Sequence, residues 1–567
     1  MVGKHWVFRD VNQEQRLALA QALSISPITA SVLLARGVAT EAAARHWLLP
    51  HQAPLHDPFL LPDMERAIDR LHRAVTTGEA VCFYGDYDVD GMSATSLYLA
   101  FFKSLGAKAR SYVPHRVEEG YGLNEQAIRR LAGEGVRLLV TSDCGTTAHH
   151  EVAVANRLGL DVIITDHHQV DARLPSALAV LNPHRPDSAY PFQGLCSGGL
   201  AYKVAAAYQA KYGMGELAAE TMLDLVALST IADVVPLQDE NRFFVREGLA
   251  QITRGARCGL RALKRVAGIE RDCHTGTVAF RLAPRINAAG RLAHADLGVR
   301  LLTTESDAEA RELAEQLERL NRERQKIEEE TTADALAMVE GLDVPAALVV
   351  GARRWHVGVI GIVAARLVER YHRPAVVVAV NEQGVGKGSA RSVPGFDLYQ
   401  ALLRCRDLLE GFGGHPGAAG LTIKEARLPE FRGRFADITA GWTGDRSPQP
   451  LLHVDAEVDL REIDQQLILE LGLLHPFGTG NPEPTFAVKN LSILSQRLVG
   501  DRHLKLTVRH GNSRPFDSIG FRMGPLADWG LSVDRSVDLA FVPELNRWNG
   551  LDRIQLRIRD LKASQSF

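Results

Sequence analysis

Seven acidic and imidazole side chains lie in three short motifs in the first third of the chain. The motifs are "YGDYDVDG", "TSDCG" and "TDHH", and the side chains are those of Asp86, Asp88, Asp90, Asp143, Asp166, His167 and His168. Carboxylates gathered without a cation would repel one another, and the pKa of each would rise. Carboxylate oxygens combined with one or two imidazoles suit Mn²⁺ or Mg²⁺. The motifs therefore predict a divalent metal site.

Such a site would support hydrolysis at phosphorus. A carboxylate such as Asp143 can bridge two ions about 4 Å apart, and this is the two-metal arrangement for in-line attack. Asp233, in "LSTIADVVPLQDENR", is a further candidate ligand, because an unpaired charge in such an apolar stretch would be costly. An N-cap or a buried pair with an arginine would also explain Asp233. A single acidic motif is typical of a turn, and a lone histidine pair is typical of a structural or exposed site.

Each of the three motifs ends a predicted strand. The strands are "AVCFYG", "RLLVTSD" and "DVIITDHH", and they alternate with helical segments such as "NEQAIRRLAGEG". Short buried strands that alternate with helices predict a parallel α/β sheet. Groups at the carboxyl ends of such strands converge on one crevice, so residues about 80 positions apart can meet there.

The rest of the chain divides into further segments, and the predicted fold class is α/β. Residues 305–340 contain neither Pro nor Gly and predict a long helix, capped by Ser306 or Asp307. We expect this helix to be a connecting rod between a parallel-sheet domain and a second α/β domain rather than a core element. The last segment reads as short strands and predicts a small barrel or sandwich. The predicted segments are an N-terminal helical part (1–64), the first α/β domain (65–304), the connecting helix (305–340), the second α/β domain (341–445) and the β-rich part (446–567).

Composition sets broad limits on function. The net charge of −3 over 567 residues gives no overall basic signal, but metal-binding carboxylates can offset a basic groove elsewhere. The 6 cysteines form no C-x-x-C pair, which argues against a zinc ribbon and favours reduced thiols. We find neither the apolar core of a signal peptide nor an apolar run of about 18 residues. These features predict a cytoplasmic protein that does not enter a membrane.

Long stretches of the sequence resemble the DHH phosphoesterase family. "VCFYGDYDVDGMSAT", "TSDCGTT", "ITDHHQV" and "STIADVVPLQDENR" resemble the motifs of that family in order and spacing. "GSARSVPGFDLYQAL" and "GFGGHPGAAGL" resemble the companion DHHA1 domain. "LLHPFGTGNPEPTF" and "RHLKLTV" resemble the oligonucleotide-binding, OB-type domain of the exonucleases in this family. The resemblance covers nearly the whole chain.

The resemblance implies an exonuclease specific for single-stranded DNA, which runs 5′ to 3′ and releases 5′-mononucleotides. Asp166 would orient His167 by accepting its free ring N–H, and His168 would contact the scissile phosphate or assist proton transfer to the leaving 3′-oxygen. The residues that would hold two Mn²⁺ or Mg²⁺ ions are Asp86, Asp88, Asp90, Asp143, His167 and Asp233.

Basic and aromatic residues are candidates for holding the strand. We expect a pocket for the 5′-terminal phosphate, in which arginines bind the anion and a tyrosine stacks on a base. Glycines around "GKGSARS" would let backbone N–H groups approach an anion. Each arginine could instead form a surface salt bridge. The pocket candidates are Arg116, Tyr121, Arg285, Arg291, Ser389, Arg391 and His415. The candidates in the β-rich segment for contacts with the distal strand are Arg497, Arg502, His503, Lys505 and Arg509.

The resemblance also implies partners, and four other functions fit the sequence less well. A single-strand-binding protein and a helicase in recombination and mismatch repair are the implied partners, and the implied state is a monomer. A hydrolase of short oligonucleotides or cyclic dinucleotides would be a shorter chain without a C-terminal barrel. A pyrophosphatase would need no strand-binding module. An inactive scaffold would have lost metal ligands, and a plain single-strand-binding protein would leave the acidic cluster unexplained.

Overall fold

A computed structural model of the chain describes residues 4–49, 55–116, 118–213, 217–340, 345–443, 450–500, 502–528, 536–548 and 551–564. The chain divides into two units. One contains Met1–Leu55, Pro236–Arg246 and Gln449–Phe567, and the other contains His56–Val235 and Glu247–Pro448. The predicted segment junctions at 340/341 and 445/446 fall on or beside residues outside the described ranges.

The N-terminal part is one short strand and three helices, each of which begins at a capping residue. They are β1 (His5–Phe8), α1 (Gln13–Leu23), α2 (Pro27–Ala35) and α3 (Glu41–Leu48). The side chains of Asn12, Ser26 and Thr40 accept hydrogen bonds from the backbone N–H three residues later, as N-caps do. The predicted helices and the predicted cap at Thr40 are confirmed.

A five-stranded parallel sheet forms the centre of the first α/β region. Its strand order is β3-β2-β4-β5-β6, and every neighbouring pair is parallel. The predicted parallel sheet is therefore confirmed. Its elements are α4 (Met64–Thr77), β2 (Ala80–Gly85), α5 (Val89–Ser104), β3 (Lys108–Tyr112), α6 (Glu125–Gly133), β4 (Val136–Ser142), α7 (His149–Arg157), β5 (Asp161–Thr165) and β6 (Ala179–Leu181).

A run of helices follows this sheet. They are α8 (Ser197–Tyr212), α9 (Leu223–Ala232), α10 (Asp239–Arg254), α11 (Cys258–Val266), α12 (Thr275–Thr277), α13 (Ala283–Leu292) and α14 (Asp296–Thr303). A π-helical turn, Val278–Leu282, joins α12 to α13. Among the described residues, no single helix has the length and apolar character needed to cross a membrane, although α1 and α2 together meet those criteria as a pair bent by 116°.

The long helix α15 (Asp307–Val339) begins at Ser306, whose side chain accepts from the backbone N–H of Glu309. The predicted helix and cap are thus confirmed, but the expectation that the helix is not part of a core is wrong. One face of α15 is buried, including Leu313, Leu317 and Ala335. Helices on both sides of α15 in the sequence cover this face, which is why the helix buries apolar residues despite its many charges.

The second α/β region contains a five-stranded mixed sheet of order β10-β11-β9-β8-β7. Here the glycine-rich stretches form strands. Gly386 and Gly388 alternate with outward-facing residues of β9, where a Cβ atom would come within 2.6–2.7 Å of Val378 or Leu421. The elements are β7 (Leu348–Ala352), α16 (Ile360–Tyr371), β8 (Ala375–Val380), β9 (Val385–Arg391), α17 (Leu398–Leu403), β10 (Gly411–His415), β11 (Ala418–Lys424) and α18 (Leu428–Thr443).

The C-terminal part is a closed β-barrel. Neighbouring strands run β14-β15-β16-β18-β17, and β17 pairs back with β14. The barrel strands and α1–α3 contribute to one hydrophobic core, and β1 pairs with β12. The elements are β12 (Leu451–Val454), β13 (Ala456–Glu457), α19 (Gln465–Gly472), β14 (Phe486–Val499), β15 (His503–Arg509), β16 (Phe516–Gly520), β17 (Ser536–Trp548) and β18 (Leu551–Ala563).

Candidate metal centre and arginine pocket

The three acidic motifs meet at the carboxyl ends of β2, β4 and β5. Asp86 follows β2, Asp143 follows β4, and Asp166 follows β5. Asp88 caps α5, because its carboxylate accepts from the backbone N–H of Asp90 at 2.9 Å. Gly91 lies so close to the backbone of Asp86 that a Cβ would be 2.5 Å from its nitrogen. The parallel sheet thus brings the motifs together, as the sequence predicts.

His167 lies at the centre of the carboxylates. Its Nε2 is 3.1 Å from Asp143 Oδ1, 3.5 Å from Asp90 Oδ2 and 3.5 Å from Asp233 Oδ2. The structure brings all six predicted metal ligands together. They form overlapping groups with candidate ligand atoms within 4.8 Å of one another, namely Asp86–Asp88–Asp143, Asp90–His167–Asp233 and Asp143–His167–His168.

The electrostatics of these groups fit divalent cations. Burial, and then repulsion from Asp88, raises the pKa of Asp86 well above its usual value. Burial and the charge of Asp90 do the same for Asp143 and raise the pKa of Asp233 to about 9. Within the described part of the chain, the buried Asp86 Oδ1 has no hydrogen-bond partner. A divalent ion would supply both the missing partner and the missing positive charge.

Asp166 holds His168, whereas the sequence-based prediction paired it with His167. Asp166 Oδ1 accepts from His168 Nδ1 at 2.7 Å and from the backbone N–H of His168 at 3.1 Å. The reason is local: an aspartate readily bonds the backbone two residues on, and His167 is turned toward the carboxylates instead. Burial alone would lower the pKa of His168, but the hydrogen bond and charge of Asp166 outweigh it and raise the pKa to about 9. Burial opposes ionisation of Asp166, yet the bond from His168 lowers its pKa.

Three arginines lie within electrostatic range of one another and of the carboxylates, and with Ser389 we call them the arginine pocket (Arg116, Arg291, Arg391 and Ser389). Burial lowers the pKa of Arg291 to about 10, and the charge of Arg116 acts in the same direction. Burial and the charge of Arg116 also lower the pKa of Arg391. Arg391 Nη1 donates to Ser389 Oγ at 3.1 Å. Partly buried like charges of this kind favour an anionic ligand.

Two further pocket candidates contact His168. The hydroxyl of Tyr121 lies 3.4 Å from His168 Nδ1 and donates to the backbone carbonyl of Asp143 at 3.0 Å. The ring of His415 is stacked over that of His168, with centroids 6.2 Å apart and planes 12° apart. The second α/β region therefore contributes a residue to the face of the metal centre.

Two expectations about the anion site need correction. Arg285 donates to Glu318 on α15 at 2.6 Å, so its guanidinium is committed to a carboxylate. The sequence could not reveal this because Glu318 is distant in the chain. β9 pairs with β8 on one side and β11 on the other, so its backbone N–H groups serve the sheet. Only the side chains of Ser389 and Arg391 remain to meet an anion.

The barrel has its own basic cavity, of about 1630 Å³. Lys505 and Arg497 line it, and Lys505 pairs with Asp517 at 3.1 Å. Arg502 is exposed at the start of β15 and is not among the described residues that line the cavity. Arg502 is therefore exposed to solvent, whereas Lys505 lines the cavity.

Sequence reasoning missed several polar residues that hold the site. Ser197 and Ser229 donate hydrogen bonds to the carboxylates of Asp143 and Asp90. Asn182 Nδ2 donates to the backbone carbonyl of His168 at 2.8 Å, and Asn287 Oδ1 accepts from the backbone N–H of Val89 at 3.1 Å. Ser229 begins the motif "STIADVVPLQDENR", but Asn182, Ser197 and Asn287 lie outside the motifs quoted above, and no sequence signal marked them.

Comparison with known proteins identifies the family. Models of the DHH family N-terminal domain, the DHHA1 domain and the RecJ OB domain match residues 80–230, 345–440 and 454–560. The single-stranded-DNA-specific exonuclease RecJ of Bacillus subtilis is 41% identical over 99% of this chain and 71% of its own length. The chain belongs to the RecJ family. The RecJ of Escherichia coli is 36% identical over 88% of this chain and 90% of its own length.

Solved RecJ structures agree with the fold. The structure of RecJ from Thermus thermophilus in complex with Mn²⁺ has a TM-score of 0.86 and 31% identity, and it covers 99% of this chain and 80% of its own. The same protein in complex with Mg²⁺ has a TM-score of 0.79 and 29% identity, with 99% and 79% coverage. The predicted fold class, with DHH, DHHA1 and OB-type domains in that order, is confirmed.

Proposed function

We propose that this chain is a metal-dependent exonuclease that hydrolyses single-stranded DNA from its 5′ end and releases 5′-mononucleotides. One observation carries the proposal: the arginine pocket lies within electrostatic range of the carboxylate–imidazole cluster, since Arg116 acts on Asp86 and Asp88 acts on Arg291. A centre for phosphoryl chemistry thus adjoins a site for a terminal phosphate. Membership of the RecJ family supports the same activity and a role in DNA recombination and repair.

The metal ligands are proposed to be the residues that converge around His167. Asp86, Asp88 and Asp143 would hold one ion, and Asp90, His167 and Asp233 would hold the other. When bound, Mn²⁺ or Mg²⁺ would supply an activated water and charge stabilisation at the phosphoryl oxygens. Asp143 belongs to more than one of the ligand groups and is the candidate bridging carboxylate.

His168 is the proposed proton donor. Its Nδ1 is bound to Asp166, which keeps the ring charged and directs Nε2 away from that carboxylate. An imidazolium in this position can deliver a proton to the leaving 3′-oxygen. The neighbouring rings of Tyr121 and His415 restrict its orientation.

The arginine pocket would bind the 5′-terminal phosphate. Arg116, Arg291 and Arg391 supply positive charge, and Ser389 supplies a hydroxyl. Fixing the end of the strand beside the hydrolytic centre gives cleavage one nucleotide at a time. Tyr121, a residue that is 54% exposed, is the candidate to stack on a terminal base.

The proposed division of labour follows the five predicted segments. The barrel, through residues such as Arg502 and Lys505, would grip the distal strand without reading its sequence. The N-terminal helices would support the barrel, and α15 would join the two catalytic α/β domains. We also propose that the protein acts as a monomer in the cytoplasm, alongside a single-strand-binding protein and a helicase.

End-labelled substrates test this function. A single-stranded oligonucleotide labelled at either its 5′ or its 3′ end is incubated with Mn²⁺ or Mg²⁺, beside a matched duplex. We expect immediate release of the 5′ label as a mononucleotide, slow loss of the 3′ label and no cutting of the duplex. Asp143→Ala should abolish cleavage, whereas Asp407→Ala, at an exposed carboxylate paired with Arg434, should not. Strand binding without cleavage would contradict the proposal and favour a scaffold or binding protein.

A further inference from the structure

The carboxylate of Asp90 is enclosed by hydrogen-bond donors from two helices. The backbone N–H groups of Ser197 and Gly198, at the start of α8, donate to Oδ2 at 2.9 Å and to Oδ1 at 3.0 Å. The hydroxyl of Ser229, on α9, also donates to Oδ1. We call Ser197, Gly198 and Ser229 the Asp90 cradle. Asp90 itself is only 1% exposed.

The hydrogen bonds around Ser229 fix the direction of its O–H group. Ser229 Oγ accepts from the backbone N–H of Gly198 at 3.1 Å and lies 3.0 Å from Cys196 Sγ. Its proton is therefore directed at the Asp90 carboxylate, which can only accept when ionised. The close approach requires glycine at 198, because a Cβ there would lie 2.3 Å from Ser229 Oγ.

The cradle also reaches the second ligand group. The hydroxyl of Ser197 donates to Asp143 Oδ1 at 3.2 Å, and that same oxygen is the one nearest His167 Nε2. Asp86 Oδ1, by contrast, has no hydrogen-bond partner in the described part of the chain. Asp90 and Asp143 are thus oriented by protein donors, independently of any cation.

We propose that Ser197 and Ser229 are positioning residues that set the affinity of the centre for divalent metal. They hold Asp90 and Asp143 in one orientation, so binding an ion costs less conformational freedom than it would with free carboxylates. Partners that hold metal ligands in this way typically contribute about 10–100-fold to metal affinity. The inference rests on the proposed metal-dependent function.

Direct Mn²⁺ titration of the metal-free protein, by isothermal calorimetry, tests the cradle without using nuclease activity. Ser229→Ala should raise the Mn²⁺ dissociation constant about 10–100-fold, and Ser197→Ala should raise it in the same direction. The matched control is Ser93→Ala on α5, whose hydroxyl is fully buried and has no hydrogen-bond partner among the described residues. The Mn²⁺ affinity of Ser93→Ala should equal that of the wild-type protein. In activity assays, the Mn²⁺ concentration for half-maximal rate should rise, while the rate at saturating Mn²⁺ is largely retained.

Thermal unfolding in EDTA separates a folding defect from a metal-binding defect. If Ser229→Ala does not fold, Ser197→Ala decides the question. If the cradle variants bind Mn²⁺ as tightly as Ser93→Ala does, the inferred role of Ser197 and Ser229 is overturned, and the proposed function is unaffected. Absence of Mn²⁺ binding by the wild-type protein would overturn both.

Discussion

At the scale of single residues, the protonation of His168 depends on Asp166. The carboxylate accepts from both the ring and the backbone N–H of His168, and the pKa of the imidazole rises to about 9. The charged form therefore persists through neutral pH. A proton donor of this kind should give kcat an alkaline limb, where the rate falls as the pH passes the pKa of His168.

Replacing Asp166 with asparagine should move that alkaline limb. Asp166→Asn removes the negative charge that holds the proton on His168, so the pKa of His168 falls. We expect the midpoint of the alkaline limb of kcat to move down by about 1–3 pH units. The measurement is kcat against pH at saturating Mn²⁺. A limb that stays at the wild-type midpoint would show that His168 is not the titrating donor.

At the scale of elements, substitutions on strand β9 test the arginine pocket. Ser389 and Arg391 lie on one face of this strand, together with Lys387, whose Nζ bonds Thr422 at 3.0 Å. Arg391→Ala should lower kcat/KM about 10–100-fold on a 5′-phosphorylated oligonucleotide, because a charged hydrogen bond is worth roughly 1.5–3 kcal/mol. A 5′-hydroxyl substrate should be affected much less.

Lys387→Ala is the control on the same strand face and should change neither substrate's kcat/KM. Equal losses for Arg391→Ala on both substrates would mean that Arg391 does not read the terminal phosphate.

The long helix α15 is stabilised by a buried charge network. Glu328, which is 2% exposed, accepts from Arg324 on its own helix and pairs with Arg366 of α16. Glu328→Gln leaves Arg324 buried without a counter-charge, so we expect a loss on the order of 3 kcal/mol in the free energy of unfolding. Urea denaturation measures it. Glu329→Gln, at an exposed position of the helix, should change stability by less than about 0.5 kcal/mol. Equal destabilisation by both variants would refute a role for the network.

The arrangement of the elements also shows which parts of the site could be predicted from the sequence. Acids at the ends of β2, β4 and β5 were predictable, because the carboxyl ends of parallel strands meet at one edge. The pairing of Arg285 with Glu318 was not, since it joins two helices far apart in sequence. Asp166 has histidines at both following positions, and only the backbone turn selects His168. Ser197 and Ser229 have common side chains, and nothing in their types marks them as partners of Asp90.

At the scale of the whole molecule, grip on the strand should depend on salt. Phosphate contacts release counterions, so the logarithm of affinity falls with the logarithm of salt concentration. Lys505→Ala should reduce the magnitude of that slope by roughly 0.7 for single-stranded DNA. Lys489→Ala is the matched control, because Lys489 also lies on the barrel and also pairs with a carboxylate, that of Glu457, but is not among the described residues that line the cavity. Fluorescence anisotropy over a salt series measures the slope for each variant. Equal slopes for Lys505→Ala and Lys489→Ala would exclude the cavity from strand binding.

The proposed activity depends on a two-metal centre built from the carboxylates around His167. A crystal grown with Mn²⁺ and measured at the manganese absorption edge tests this most directly. We predict two anomalous peaks about 4 Å apart, one bound by Asp90, His167 and Asp233 and the other by Asp86 and Asp88, with Asp143 shared. The absence of peaks at these residues, or peaks only elsewhere on the molecule, would contradict a two-metal centre at His167.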